Sequence, residues 1–115
     1  MIHPLTFFKH PETPAVMADE RGFLIEVTSS FCEQFHWTRE QLIGMPITVL
    51  IPPELHDAHH LGFSSFVTTG KHSILEQELD LELMTGRGER LLASHFIVAG
   101  EINGQKRIAA RITAR

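Results

Sequence analysis

Residues 74–84 carry the clearest alternation of apolar and polar positions in the chain. Successive side chains of a β-strand point to opposite faces, so this alternation predicts a strand with one buried face. The other face is acidic, which indicates exposure to solvent. The inward set is Leu75, Gln77, Leu79, Leu81 and Leu83, and the outward set is Glu76, Glu78, Asp80 and Glu82.

Two further strands are predicted after residue 84, and they complete an antiparallel ribbon. Gly86-Arg-Gly88 marks a turn that leads into a strand over residues 89–99. Asn103-Gly104 is a strong hairpin signal, because both residues tolerate the backbone of a tight two-residue turn. The last strand then covers residues 107–113.

The middle strand of this ribbon is apolar or small on both faces, so both faces of the sheet need cover. Helices are expected on one face. The other face is expected to be covered by an N-terminal cap segment, residues 1–13, or by a second subunit. The cap segment contributes the apolar side chains Leu5, Phe7 and Phe8.

The segment between the cap and the histidine-rich region predicts a hairpin and two short helices. The hairpin has strands over 14–18 and 23–27, joined by a turn that contains Gly22. A residue in the range 28–30 caps the first helix, and Thr38 with Gln41 forms a capping box for the second. Cys32 falls on the first helix and is interpreted as a small core hydrophobe.

A longer helix is predicted over residues 53–68, since prolines are tolerated in its first turn and Gly70 supplies a stop. Residues placed about 100° apart give one apolar stripe that contains His59. His56 falls at the edge of this stripe and His60 further toward the polar side. The stripe consists of Leu55, Ala58, His59, Gly62, Phe63 and Phe66.

Composition limits the possible functions. The chain has 115 residues, 43% of them hydrophobic, which fits one globular domain. A net charge of −4 without a Lys/Arg cluster argues against nucleic acid and anionic membranes as partners. The lone Cys32 excludes an internal disulfide, and no apolar run approaches the roughly 20 residues of a membrane span. These features predict a cytoplasmic protein without membrane insertion in this segment.

Several motifs in a fixed order resemble a PAS domain over residues 14–113. They are Asp19-x-x-Gly22, the run from Phe35 to Gly44, Leu50-Ile-Pro-Pro-Glu54, the helix from His59 to Gly70, Gly86-Arg-Gly88 and Arg111-Ile-Thr113. The resemblance implies an α+β fold, with a five-stranded antiparallel sheet and helices packed on one face. The PAS domain is assigned to residues 14–115. Arg111 departs from the family's usual Asp-Ile-Thr ending, which puts the usual contact with a following module in doubt.

The resemblance also implies a function. Bacterial PAS domains of this kind sense a small ligand or rearrange as homodimers, and they regulate a C-terminal diguanylate cyclase or histidine kinase. The chain is therefore expected to be the N-terminal piece of a longer signalling protein, and to catalyse nothing itself. One alternative is a ligand-free dimerisation module whose interface consists of Leu5, Phe7, Phe8 and the sheet face opposite the helices. A small α+β enzyme would need a polar catalytic cluster, and no such cluster is found.

His59 raises the possibility of a haem b gas or redox sensor. It aligns with the axial histidine of rhizobial oxygen-sensing haem kinases, and an inward imidazole suits haem iron. However, the arginine that serves bound oxygen in those kinases aligns with Leu79 here. A hydrogen-bonded core histidine is the favoured interpretation. The candidate pocket residues are His59, Phe63, Gln77, Leu79 and His95.

Two other cofactor hypotheses are weaker. His56 and His60 are four residues apart on a helix, which can bring two imidazoles to one zinc or nickel ion, but no third ligand is identifiable. A solvated helix face explains them better. Covalent flavin photochemistry, as in light-sensing PAS relatives, needs a cysteine that the segment Gly44-Met-Pro-Ile47 lacks.

Overall fold

The computed structural model of the chain describes residues 2–69 and 75–115, the side chains at positions 62 and 64–69 excepted. The helices are α1 (Ser29–Phe35), α2 (Arg39–Leu42) and α3 (His56–Thr69), with 3₁₀ turns at Pro4–Phe8, Ile47–Leu50 and Pro53–Leu55. The strands are β1 (Ala15–Asp19), β2 (Leu24–Val27), β3 (Glu78–Met84), β4 (Arg90–Ile102) and β5 (Gln105–Ala114). The longest helix has 14 residues, and no helix in the described part is long and apolar enough to cross a membrane.

The five strands form one antiparallel sheet in the order β2-β1-β5-β4-β3. This confirms the predicted α+β fold and its five-stranded sheet. The hairpin between β4 and β5 is closed by Asn103 and Gly104, whose φ angles of 53° and 77° fit the tight turn that their residue types indicate. The two longest strands, β4 and β5, pair from Ile102 opposite Gln105 at the turn to Ala93 opposite Ala114 at the far end.

Strand β3 begins later than the alternation predicts. Residues 75–77 form a turn, and Glu76 has a left-handed backbone with φ of 58°, so the extended chain starts only at Glu78. Within the strand the predicted alternation holds in part: Leu83 is buried and Glu82 is exposed, but Leu81, on the same face as Leu83, is 40% exposed. Ile74, the predicted first residue, lies outside the described residues.

Caps define the two short helices as the sequence predicts. Thr28 Oγ1 accepts a hydrogen bond from Phe31 N at the start of α1. At the start of α2, the Thr38 hydroxyl accepts from Gln41 N, and the Gln41 side chain accepts from Thr38 N. Helix α1 ends at His36, which adopts a left-handed backbone with φ of 60°.

The main core lies between the helices and one face of the sheet, called here the inner face. Phe31, Phe35 and Leu42 are fully buried there and pack against strand residues. The Trp37 indole N–H donates to the carbonyl of Met84, which ties the end of α1 to β3. Burial raises the pKa of the Cys32 thiol, which fits its interpretation as a small core hydrophobe.

The opposite, outer face of the sheet carries a second apolar cluster, which the N-terminal 3₁₀ turn covers. Phe7 is 4% exposed and packs with Met17, Val98 and Ala109. Leu5, in the same turn, is 45% exposed. Part of the predicted cap segment therefore covers the outer face of its own chain, with Phe7 as its buried anchor.

Candidate ligand-binding cavity

A cavity of about 390 Å³ lies between the inner face of the sheet and α3. Its wall is formed mostly by aliphatic side chains from β1, β2, β3, β4, β5, α3 and the 3₁₀ turn at Ile47–Leu50. Three ionisable side chains belong to the described wall: His59, His95 and Glu82. The cavity is thus apolar, with two imidazoles as its main polar groups.

His95 comes from the centre of β4, where the strand register turns odd-numbered residues to the inner face. It is 8% exposed and lies opposite Leu79 on β3 and Ile112 on β5. Its Nδ1 is 3.0 Å from the carbonyl oxygen of Ala93. A carbonyl oxygen only accepts hydrogen bonds, so Nδ1 carries the proton in this contact.

Burial is the main influence on the pKa of His95 and lowers it below the ordinary value. The hydrogen bond to Ala93 and the charge of Asp80 act in the opposite direction. The neutral form is therefore favoured at neutral pH, with its proton on Nδ1. In that tautomer the second ring nitrogen, Nε2, is a hydrogen-bond acceptor.

His59 comes from the first turns of α3 and is half-buried. The centroid of its ring is 5.7 Å from that of Phe63, with an interplanar angle of 35°, and 5.7 Å from that of His60. Burial lowers the pKa of His59, and the nearby His60 and His56 lower it further. His59 is thus a second, mainly neutral imidazole in the wall.

The structure brings together three of the five pocket residues named from the sequence. His59, Phe63 and His95 belong to the cavity wall. Leu79 lies on β3 opposite His95 but outside the lining, and Gln77 is exposed in the turn before β3. Gln77 lies outside the wall because β3 starts only at Glu78. A turn residue does not follow the alternation of faces along the strand. Ligand contact by any of the five stays a prediction.

The two histidines considered for a metal are placed differently from each other. His56 Nε2 lies 2.7 Å from the carbonyl oxygen of Ile51, which engages one of its two ring nitrogens. His60 is exposed on the same helix. Within residues 2–69 and 75–115, no group of three or more His, Cys, Asp or Glu side chains is arranged to hold a metal ion.

The cavity wall does not fit a haem. A haem carries two propionates, and buried carboxylates require cationic or hydrogen-bonding partners. The described wall contains no arginine or lysine, and its one charged side chain, Glu82, is itself a carboxylate. The His59 ring lies against the rings of His60 and Phe63, and neither neighbour is the carboxylate or carbonyl that usually orients a metal-bound imidazole.

Sequence reasoning missed much of the aliphatic wall. Leu81 and Leu83 were assigned to the inner face but not to a pocket, and both line the cavity. Ile97 and Ile108 belong to the wall as well. For Leu81, Leu83 and Ile97, the alternation along β3 and β4 could have indicated a place in the wall. Ile108 follows from pairing β5 with β4, which requires the register and not the pattern alone.

Three comparisons place this geometry among known proteins. A family model described as the PAS fold matches residues 8–90. An uncharacterised protein of Azorhizobium caulinodans is 29% identical over 108 residues, which covers 87% of this chain and 15% of that protein. The chain therefore spans only a small part of the length of this relative.

Solved structures give the same picture of the fold. The PAS domain of a Desulfitobacterium hafniense protein superposes with a TM-score of 0.73 at 17% identity, covering 96% of this chain and 99% of that one. A PAS domain from a two-component sensor histidine kinase gives a TM-score of 0.68 at 10% identity, covering 90% of this chain and 86% of that one. At these identities the similarity shows the fold alone.

Proposed function

Because the chain belongs to the PAS family, whose domains are generally sensory and not catalytic, we propose that the cavity beneath α3 is a sensory site for a small, mostly apolar ligand. The observation that carries this proposal is the cavity itself. Its volume of about 390 Å³ lies within the range of about 300–1,000 Å³ typical of small-molecule sites. Its wall also has the usual composition, an apolar surface with a few polar groups.

The cavity is well placed to couple a ligand to the sheet. Its wall includes Ala109, Ala110 and Ile112 of β5, the last strand of the domain, and His59 and Phe63 of α3. A ligand that binds one arrangement of α3 and the sheet more tightly than another shifts the population toward that arrangement. This differential affinity is the mechanism by which the domain reports its ligand.

The proposal extends to the rest of the signalling protein. The domain regulates an output module that follows it, a histidine kinase or a diguanylate cyclase, in a cytoplasmic homodimer. The kinase PAS domain among the similar structures and the much greater length of the Azorhizobium relative both favour such an arrangement. The coding sequence immediately after Arg115 tests it. A kinase or cyclase domain there is the expected result, and a stop codon there would overturn it.

Ligand binding is tested directly with indole, a neutral bicyclic probe. Uniformly ¹⁵N-labelled protein is titrated with indole and followed by amide chemical shifts. Shifts concentrated at Leu24, Ala110 and Ile112, which line the cavity, are expected. The proposal fails if no shift occurs, or if shifts are confined to outer-face residues such as Ser94. A Soret band in the purified protein that disappears in His59→Ala would instead favour haem.

A further inference from the structure

The Nε2 atom of His95 is a polar atom of the cavity wall whose role the fold leaves open. The other ring nitrogen, Nδ1, is engaged with the carbonyl oxygen of Ala93 at 3.0 Å, two residues earlier on the same strand. This contact fixes the proton on Nδ1 and holds the ring in one orientation. No hydrogen bond joins Nε2 to another of the described residues.

Nε2 is also not sealed inside packed protein. Across residues 2–69 and 75–115, no fully enclosed side-chain nitrogen or oxygen lacks a hydrogen-bond partner. An unpaired Nε2 must therefore reach open space. His95 is only 8% exposed and belongs to the cavity wall, so the cavity is the open space available to it.

On the premise that the cavity is a ligand site, we propose that His95 Nε2 selects ligands that present an N–H or O–H donor. An apolar ligand without a donor would displace any solvent from Nε2 and leave this acceptor unpaired. Leaving a buried polar group unpaired costs more than the hydrogen bond alone contributes. A ligand with a donor at this position avoids that cost and keeps the apolar contacts.

Indole and benzofuran test the proposal, because benzofuran has the same bicyclic shape with an oxygen in place of the N–H. The wild-type protein should bind indole about tenfold more tightly, as expected for one hydrogen bond to a buried acceptor. In His95→Leu this preference should disappear. In the matched variant His59→Leu, which removes the other imidazole of the same wall, the preference should remain.

The outcomes separate this proposal from the sensory function on which it rests. Equal binding of indole and benzofuran by the wild type overturns the role of His95 and leaves the ligand site intact. Binding of neither probe overturns the ligand site and with it this proposal. A preference that persists in His95→Leu, or that disappears in His59→Leu, assigns selection to another group and overturns the proposal.

A second measurement covers the case in which His95→Leu fails to fold. In wild-type protein with ¹⁵N-labelled histidine, the Nε2 resonance of His95 should move upfield when indole donates a hydrogen bond to it, and benzofuran, which has no donor, should cause no upfield shift. Nδ1, which is held by Ala93, should change little with either probe. A shift of Nε2 that is the same with both probes would overturn the proposal.

Discussion

The ring of Phe7 meets the ring of Phe96 edge-on, with 6.4 Å between the centroids and 81° between the planes. The contact joins the N-terminal 3₁₀ turn to the outer face of β4. The guanidinium of Arg111, on β5, lies over both rings, 5.6 Å from the centroid of Phe7 and 5.1 Å from that of Phe96. One aromatic pair and one cation therefore fasten the N-terminal segment to two central strands.

Phe7→Ala is expected to destabilise the domain by about 3–5 kcal/mol, the usual cost of removing a buried phenylalanine ring. Phe7 is 4% exposed and packs with Met17, Val98 and Ala109, so little of its contact area is available to solvent. Urea denaturation followed by circular dichroism measures the change in the free energy of unfolding.

Leu5→Ala is the matched control for Phe7→Ala, since Leu5 lies in the same turn but is 45% exposed. Its expected cost is below about 1 kcal/mol.

Light scattering on both variants also tests the dimerisation hypothesis. If Phe7 acts only within its own chain, Leu5→Ala weakens a dimer more than Phe7→Ala does at equal folded fraction. Equal costs of unfolding for the two variants would contradict the packing described.

Arg111 and Phe7 are expected to be energetically coupled. A double-mutant cycle with Phe7→Leu and Arg111→Met should give a coupling free energy of about 0.5–1 kcal/mol, the range for cation–π contacts at exposed sites. Arg111 also forms an ion pair with Glu78, at 2.6 Å. This pair is lost in the single variant Arg111→Met and in the double variant alike, so its energy cancels from the coupling free energy. Urea denaturation of the four proteins provides the measurement.

The control cycle pairs Phe7→Leu with Arg90→Met. Arg90 forms ion pairs with Glu54 and Glu82 instead of contacts with the aromatic pair. Its coupling to Phe7 should be within about 0.3 kcal/mol of zero. A coupling as large as that of Arg111 would mean that the effect is carried by general destabilisation and not by the stacked guanidinium.

Most helices and turns could be located from the sequence, because caps and turn residues determine the backbone only within a few positions of themselves. Thr38 and Gln41 make the capping box that their spacing predicts, and Asn103-Gly104 makes the predicted hairpin turn. The start of β3 could not be located in this way, since the left-handed backbone of Glu76 has no signal in its residue type. Alternation continued through the turn and concealed it.

The site was less predictable than the fold. Helical spacing brought His59 and Phe63 to the cavity side, as the structure has them. The contact between His95 Nδ1 and the Ala93 carbonyl depends on a side-chain rotamer, which no sequence pattern encodes. The Gly86-Arg-Gly88 turn is a second case in which sequence alone is insufficient. Gly86 is required by the close approach of the His36 backbone, whereas Gly88 has a positive φ, and nothing in the sequence distinguishes the two.

Gly86→Ala is expected to destabilise the domain by about 3 kcal/mol or more. A Cβ at this position would lie 1.7 Å from the carbonyl oxygen of His36, so the backbone of α1 or of the turn must move. Such movement would also break the hydrogen bond from Gly86 N to the carbonyl of Phe35, which is 3.0 Å long. Thermal and urea denaturation measure the loss.

Gly88→Ala, two residues away, is the matched control. Gly88 has φ of 79°, and a Cβ added there would meet no atom within 4 Å, so only backbone strain opposes the substitution. The expected cost is about 1 kcal/mol. If Gly88→Ala costs as much as Gly86→Ala, the close approach to His36 is not what requires the first glycine.

The two cavity histidines predict a loss of stability on mild acidification. Burial lowers the pKa of both His59 and His95 in the folded state below the ordinary value of 6.5. The unfolded chain therefore binds protons at these residues before the folded protein does. Their neutral forms contribute stability above pH 6.5, and this contribution is lost as the pH falls from 6.5 toward the folded-state pKa values. Glu54 and Glu78 have lowered pKa values relative to 4.5, so their effect belongs to a more acidic range.

Urea denaturation at about pH 7.5 and about pH 5.5, on either side of the ordinary histidine pKa, measures this loss. The free energy of unfolding should decrease in the wild type, and the decrease should shrink when both cavity histidines are replaced, as in His59→Gln with His95→Gln. His10→Gln is the control, because the side chain of His10 is 70% exposed and lies outside the cavity. A decrease that shrinks as much in His10→Gln as in the double variant would show that the loss of any histidine, and not of the two in the cavity, causes the change. A decrease that persists in the double variant would show that other groups cause it, and a wild-type stability that rises on acidification would contradict the lowered pKa values.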